Sequence, residues 1–94
     1  MINQCLHIFV SGLVQGVYFR ANSLKTAKSL GVTGWIKNLD DGRVELMVEG
    51  EKNFVNQMLK WCKHGPPGAK IDNVSVDYEL FQNKFTSNML LRLD

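Results

Sequence analysis

Asp41-Gly42 stands between two β-rich runs, Val32–Asn38 and Arg43–Glu49, and this is the local signal that most constrains the fold of the chain. An Asp-Gly pair supplies the turn of a tight antiparallel hairpin. On each side of that hairpin the hydrophobic pattern becomes helical. Upstream, Ala21, Leu24, Ala27 and Leu30 recur at three-residue spacing, the stripe of a helix ending near Gly31. Before it, Leu6, Ile8 and Val10 alternate with Cys5, His7 and Phe9, the period of a strand with one buried face. Downstream, Phe54, Val55, Met58, Leu59 and Cys62 mark an amphipathic helix stopped by Gly65-Pro66-Pro67-Gly68. Val74 and Val76 mark a further strand, and Met89–Leu93 a short last one.

The resulting order is β-α-β-β-α-β. Two right-handed βαβ crossovers interleave into one antiparallel sheet with both helices on a single face, which is the α+β ferredoxin-like sandwich. The 94 residues suit one domain, 1–94, with 45% apolar and 21% charged residues at ordinary globular values. No apolar run approaches the roughly 18–20 residues of a membrane span. Met1–Val10 has no Lys or Arg before its short apolar run and does not resemble a signal peptide. A cytoplasmic, membrane-independent chain is expected.

Net charge is only +2 and does not argue for nucleic acid. Its distribution says more. Residues 1–39 carry Arg20, Lys25, Lys28 and Lys37 but no Asp or Glu, so every acidic residue falls from Asp40 onward. In the positive segment, the first strand runs into a glycine-bearing loop. Gly12 and Gly16 can take the positive φ that turns successive backbone N–H groups into one concavity, an anion-binding nest. A helix start just after it adds N–H donors of its own. Arg20 at that start opposes the helix dipole, which suggests that the charge serves a ligand. The site expected is one for a phosphate-sized anion.

Several chemistries lack their residues. No Gly-x-x-x-x-Gly-Lys-Ser/Thr string occurs, so nucleoside triphosphate hydrolysis is not expected. Neither cysteine is followed five residues later by Arg, and Ser11 and Ser23 have no histidine beside them as base. The pairs Cys5/His7 and Cys62/His64 read as free thiols and surface histidines rather than metal ligands. Cys5 and Cys62 would form a disulfide only in an oxidising compartment. Of Tyr18 and Phe19, one is expected to anchor the loop in the core, and Trp35 and Trp61 to act as packing aromatics. Asn38 closes the second strand, where it can face the loop after the first strand. Its amide carries donor and acceptor and cannot titrate, which suits holding a water.

Val10-Ser11-Gly12-Leu13-Val14-Gln15-Gly16-Val17-Tyr18-Phe19-Arg20 resembles the first signature of the acylphosphatases. Gly34-Trp35-Ile36-Lys37-Asn38, followed by Gly42, Val44 and Gly50, resembles the second. The resemblance covers about Leu6 to Val76. Ile36 is bulkier than the family's usual residue, and the C-terminal end lacks a common closing aromatic. The resemblance implies hydrolysis of the carboxyl-phosphate bond of a small acyl phosphate to carboxylate and inorganic phosphate, by in-line attack of a water. It implies that Arg20 binds the phosphoryl oxygens and Asn38 orients the water. Backbone N–H groups of Gln15, Gly16, Val17, Tyr18 and Phe19 would complete the cradle, with no metal, cofactor or covalent intermediate. Acetyl phosphate, carbamoyl phosphate and bisphosphoglycerate are candidate substrates on the same ground. A monomer acting on a small molecule, without nucleic acid or membrane, is expected. The alternative from another class is a non-catalytic anion- or RNA-binding module on the same sheet.

Overall fold

The computed structural model describes residues 2–16, 18–81 and 90–91. Five strands and two helices follow in the order β1 (Asn3–Leu13), α1 (Phe19–Leu30), β2 (Thr33–Asn38), β3 (Val44–Glu51), α2 (Lys52–His64), β4 (Lys70–Glu79) and β5 (Leu90–Leu91). The sheet order is β4-β1-β3-β2-β5. Each neighbouring pair among the first four strands is antiparallel, as the ferredoxin-like plan requires. β5 adds a short parallel pairing to β2, Trp35 opposite Leu90 and Ile36 opposite Leu91. Of the expected last strand, Met89, Arg92 and Leu93 lie outside the described residues.

Strand alternation puts Leu6, Ile8 and Val10 of β1, Ile36 of β2, and Val44, Leu46 and Val48 of β3 on the helix side, all fully buried. Ile36 is absorbed there without exposure. Val55, Met58 and Cys62 of α2 and Phe19 and Ala27 of α1 close over them. The buried line of α1 is Phe19, Ser23 and Ala27, while Ala21 is exposed. A three-residue spacing loses about 60° per step around a helix, so the stripe from Ala21 to Leu30 drifts across it, whereas a four-residue spacing stays on one face.

Gly12 has a different task from the one its sequence context suggests. It lies within β1, where the pairing to β4 slips between Ser11 and Gly12. With φ of 128°, a Cβ there would sit 2.0 Å from the Lys70 carbonyl oxygen. Only glycine lets the two strands close at that bulge. The anion loop itself begins beyond it.

Candidate active site

Between the end of β1 and the first turn of α1 the chain bends through Val14, Gln15, Gly16 and Tyr18. Gly16 has φ of 77°, and Tyr18 is itself left-handed at φ 59° and ψ 27°. That conformation costs a non-glycine residue about 1–2 kcal/mol. Phe19 supplies the compensation. It is 2% exposed and packs against Trp61, ring centroids 5.1 Å apart. Burying such a ring contributes about 1.5–3 kcal/mol, enough to hold the bend. Tyr18 stays 80% exposed at the rim, so Phe19 is the loop anchor of the aromatic pair.

The start of α1 has no side-chain cap and no acidic residue in its first turn. Its first backbone bond runs from the Asn22 N–H to the Tyr18 carbonyl at 3.0 Å. The N–H groups ahead of Asn22 therefore have no intrahelical acceptor and form an anion-seeking terminus. A cavity of about 340 Å³ opens there, lined by Val14, Gln15, Gly16, Tyr18, Phe19, Arg20, Ala21 and Asn38. Among the described residues, its lining holds one guanidinium and no carboxylate.

Asn38 reaches this cavity from the other end of the crossover. It pairs with Val44 in the β2–β3 register, which places it on the helix side of the sheet. Its Oδ1 is buried and has no donor among the described residues. The structure thus brings Arg20, Asn38, Gln15, Gly16, Tyr18 and Phe19 together around one concavity; Val17, the other member expected in the cradle, lies outside the described residues.

The turn that closes the hairpin is internally fastened. The Arg43 backbone N–H and guanidinium both donate to Asp41, at 3.1 and 2.8 Å. These bonds, the backbone one foremost, hold the Asp41 carboxyl below the usual carboxylate range. One contact had no signal in the sequence: the Gln15 side-chain Nε2 donates to the Leu39 carbonyl at 2.8 Å and the Arg43 carbonyl at 2.9 Å. No periodicity or motif spacing announces it, because the partners belong to another hairpin.

The remaining polar candidates lie elsewhere. Ser11 Oγ donates to the Asn73 carbonyl at 3.3 Å, and Ser23 is buried within α1. Cys5 and Cys62 are both buried thiols rather than a disulfide, with Cys62 in the helix-side core and Cys5 donating its thiol to Met47 Sδ. His64 is exposed as expected, but His7 is half-buried against Glu45 rather than a surface residue.

A ferredoxin-like sandwich with an uncapped, cation-bearing helix start at the end of its first strand defines a small anion-handling domain. The acylphosphatase family model matches residues 6–87, and the chain belongs to that family, enzymes that hydrolyse acyl phosphates. It is 51% identical over 74 residues to an acylphosphatase of Trichormus variabilis, covering 79% of this chain and 73% of that protein. To an acylphosphatase of Methylococcus capsulatus it is 44% identical over 87 residues, covering 93% and 95%. The fold superposes on the structure of an acylphosphatase from Coxiella burnetii with a TM-score of 0.89 at 38% identity, over 96% of this chain and 93% of that one.

Proposed function

We propose that this chain hydrolyses the carboxyl-phosphate bond of small acyl phosphates with Arg20 and Asn38 as its two catalytic side chains. The observation that carries this reading is Asn38, which lines the same cavity as Arg20 and whose buried Oδ1 has no donor among the described residues. A buried acceptor left so is costly, about 1–3 kcal/mol, unless a ligand or water meets it. An acceptor is also what the attacking water needs: it takes one O–H and turns a lone pair toward phosphorus.

The phosphoryl group sits against the loop and the first turn of α1. N–H groups of Gln15, Gly16, Tyr18 and Phe19 surround its oxygens, as the family resemblance implies for Val17 too, and the planar guanidinium of Arg20 grips two of them. Water held by Asn38 attacks in line, the P–O bond to the acyl carbon's oxygen breaks, and the carboxylate leaves with the bonding pair. Both water protons stay on the phosphate, which departs as dihydrogen phosphate. Because a carboxylate is the conjugate base of a fairly strong acid, no general acid is required. Positioning and stabilisation of charge on the equatorial oxygens do the work, and a lining with no carboxylate among the described residues suits an anionic substrate.

The reading extends to one domain over residues 1–94, acting as a cytoplasmic monomer without cofactor, metal, membrane or nucleic acid. The family match over residues 6–87 supports it. Among the described residues no helix is long and apolar enough to cross a membrane. The non-catalytic alternative has no observation in its favour: Phe9, an aromatic on the open sheet face, lies under the Arg43 guanidinium at 5.0 Å. The deciding assay is phosphate release from benzoyl phosphate with EDTA present, wild type beside Arg20→Ala. Chelator-resistant turnover that vanishes in the variant is expected. Absence of turnover by folded wild type would overturn the proposal and leave an anion-binding domain.

A further inference from the structure

We propose that the Gln15 side chain is a positioning residue that sets the spacing between the phosphate loop and the strand end bearing Asn38. The inference rests on the roles proposed above for the loop and for Asn38. Both N–H donors of the Gln15 amide are engaged, one at each side of the hairpin neck: Leu39 O at 2.8 Å and Arg43 O at 2.9 Å. These carbonyls already accept backbone bonds, Arg43 O from the Leu39 N–H at 2.8 Å and Leu39 O from the Gly42 N–H at 3.2 Å. Each oxygen has two lone pairs, and Gln15 takes the second of each.

The consequence follows from where the partners lie. Leu39 is the residue after Asn38, and Gln15 precedes Gly16 in the loop that lines the cavity. The amide is therefore a strut between the element that holds phosphorus and the element that holds the water. A side chain with one donor could tie the loop to one strand of the hairpin. Two donors on one planar group fix both strands and so the direction in which Asn38 enters the cavity. Displacement of a reacting group by about 1 Å can lower a rate on the order of 10²-fold. Gln15 thus acts on the attack step through Asn38, without touching the reacting atoms by its side chain.

The test is a double-variant cycle on the full chain with benzoyl phosphate as substrate and inorganic phosphate as competitive inhibitor. Gln15→Met keeps length and removes both donors. It is expected to lower kcat on the order of 10–10²-fold, while the phosphate inhibition constant moves by less than about threefold, since the backbone cradle and Arg20 remain. In the Asn38→Ala background, the same change is expected to cost almost nothing further, the signature of two residues acting as a unit. Amide exchange at Leu39–Arg43 should quicken. If Gln15→Met does not fold, Gln15→Leu takes its place, a neutral side chain that likewise lacks both donors and adds no charge to the cavity. Full additivity in the cycle, an unchanged kcat, or a loss of phosphate affinity matching the loss of kcat would each overturn the proposal. A normal kcat for Asn38→Ala alone would instead overturn the role of Asn38, so the two failures are distinguishable.

Discussion

Lys37 and Asn38 are neighbours on β2, yet they serve opposite faces of the sheet. On the open face Lys37 meets Glu45 at 3.6 Å and lies 5.6 Å from the Trp35 ring centroid, and the same Glu45 carboxylate meets His7. The polar groups there answer one another. On the helix side, one residue further, Asn38 lines the cavity with Arg20, and its carbonyl oxygen is buried with no donor among the described residues. The Lys37–Glu45 pair contributes little, about 0–1 kcal/mol. The unanswered acceptor costs about 1–3 kcal/mol. Charge density therefore does not locate the chemistry in this chain. The busier face is structural, and the corner with Arg20 and an amide oxygen that lacks a donor among the described residues is where a ligand belongs.

The strongest way to break this contrast is at Arg20. Arg20→Ala is expected to lower kcat/KM by roughly 10³-fold or more, measured by steady-state phosphate release with circular dichroism confirming the fold. Arg20→Lys should recover little, because a point charge does not reproduce the fork. Near-normal kinetics in Arg20→Lys would remove Arg20 from the mechanism. Asn38→Ala comes next, with kcat reduced by roughly 10²–10³, about 3–4 kcal/mol, as for loss of one positioned group. Phosphate inhibition should change little, and a rise in KM alone would reassign Asn38 to substrate binding.

A third test sharpens what burial on the helix side entails away from the cavity. Burial pushes the Cys62 thiol up to about 12. An unfolded chain releases that proton near its ordinary value, so above about 9 the native state holds a proton that the unfolded state has lost. Stability is then fully present below about 9 and falls by about 1.4 kcal/mol per pH unit toward 12. Urea titrations of wild type and Cys62→Ala from pH 8 to 11 should diverge in slope, the variant lacking this contribution. Parallel curves would mean that Cys62 does not report the dry core. The smallest effect is expected on the open face. His7→Gln should shift stability by less than about 1 kcal/mol and leave kcat within about twofold. A tenfold fall in kcat there would erase the distinction between the two faces.

The elements that came through the sequence clearly are those whose signals are local. The alternation Leu6, Ile8, Val10 is the buried face of β1, and the Asp41-Gly42 turn sits where β2 gives way to β3. The helix stripe was legible in its existence but not in its phase. Ala21 faces outward at the cavity and Ser23 inward, because a three-residue spacing does not hold one face. Gly12 and Gly16 look alike in the sequence, yet one closes a strand bulge against Lys70 and the other bends the anion loop. Backbone neighbours, not residue type, separate those two uses.

By itself, then, the sequence determined the order of elements, the hairpin, the loop with its Arg20, and the family signatures, since hydrophobic period, turn chemistry and motif spacing all act over a few bonds. The tertiary structure alone decided that Asn38 enters the cavity with its carbonyl oxygen unanswered, and that Gln15 braces loop and hairpin across 24 and 28 residues of chain. Those facts depend on how β1 and β2 come together with β3 between them. No local pattern encodes a contact that exists only once the sheet has closed.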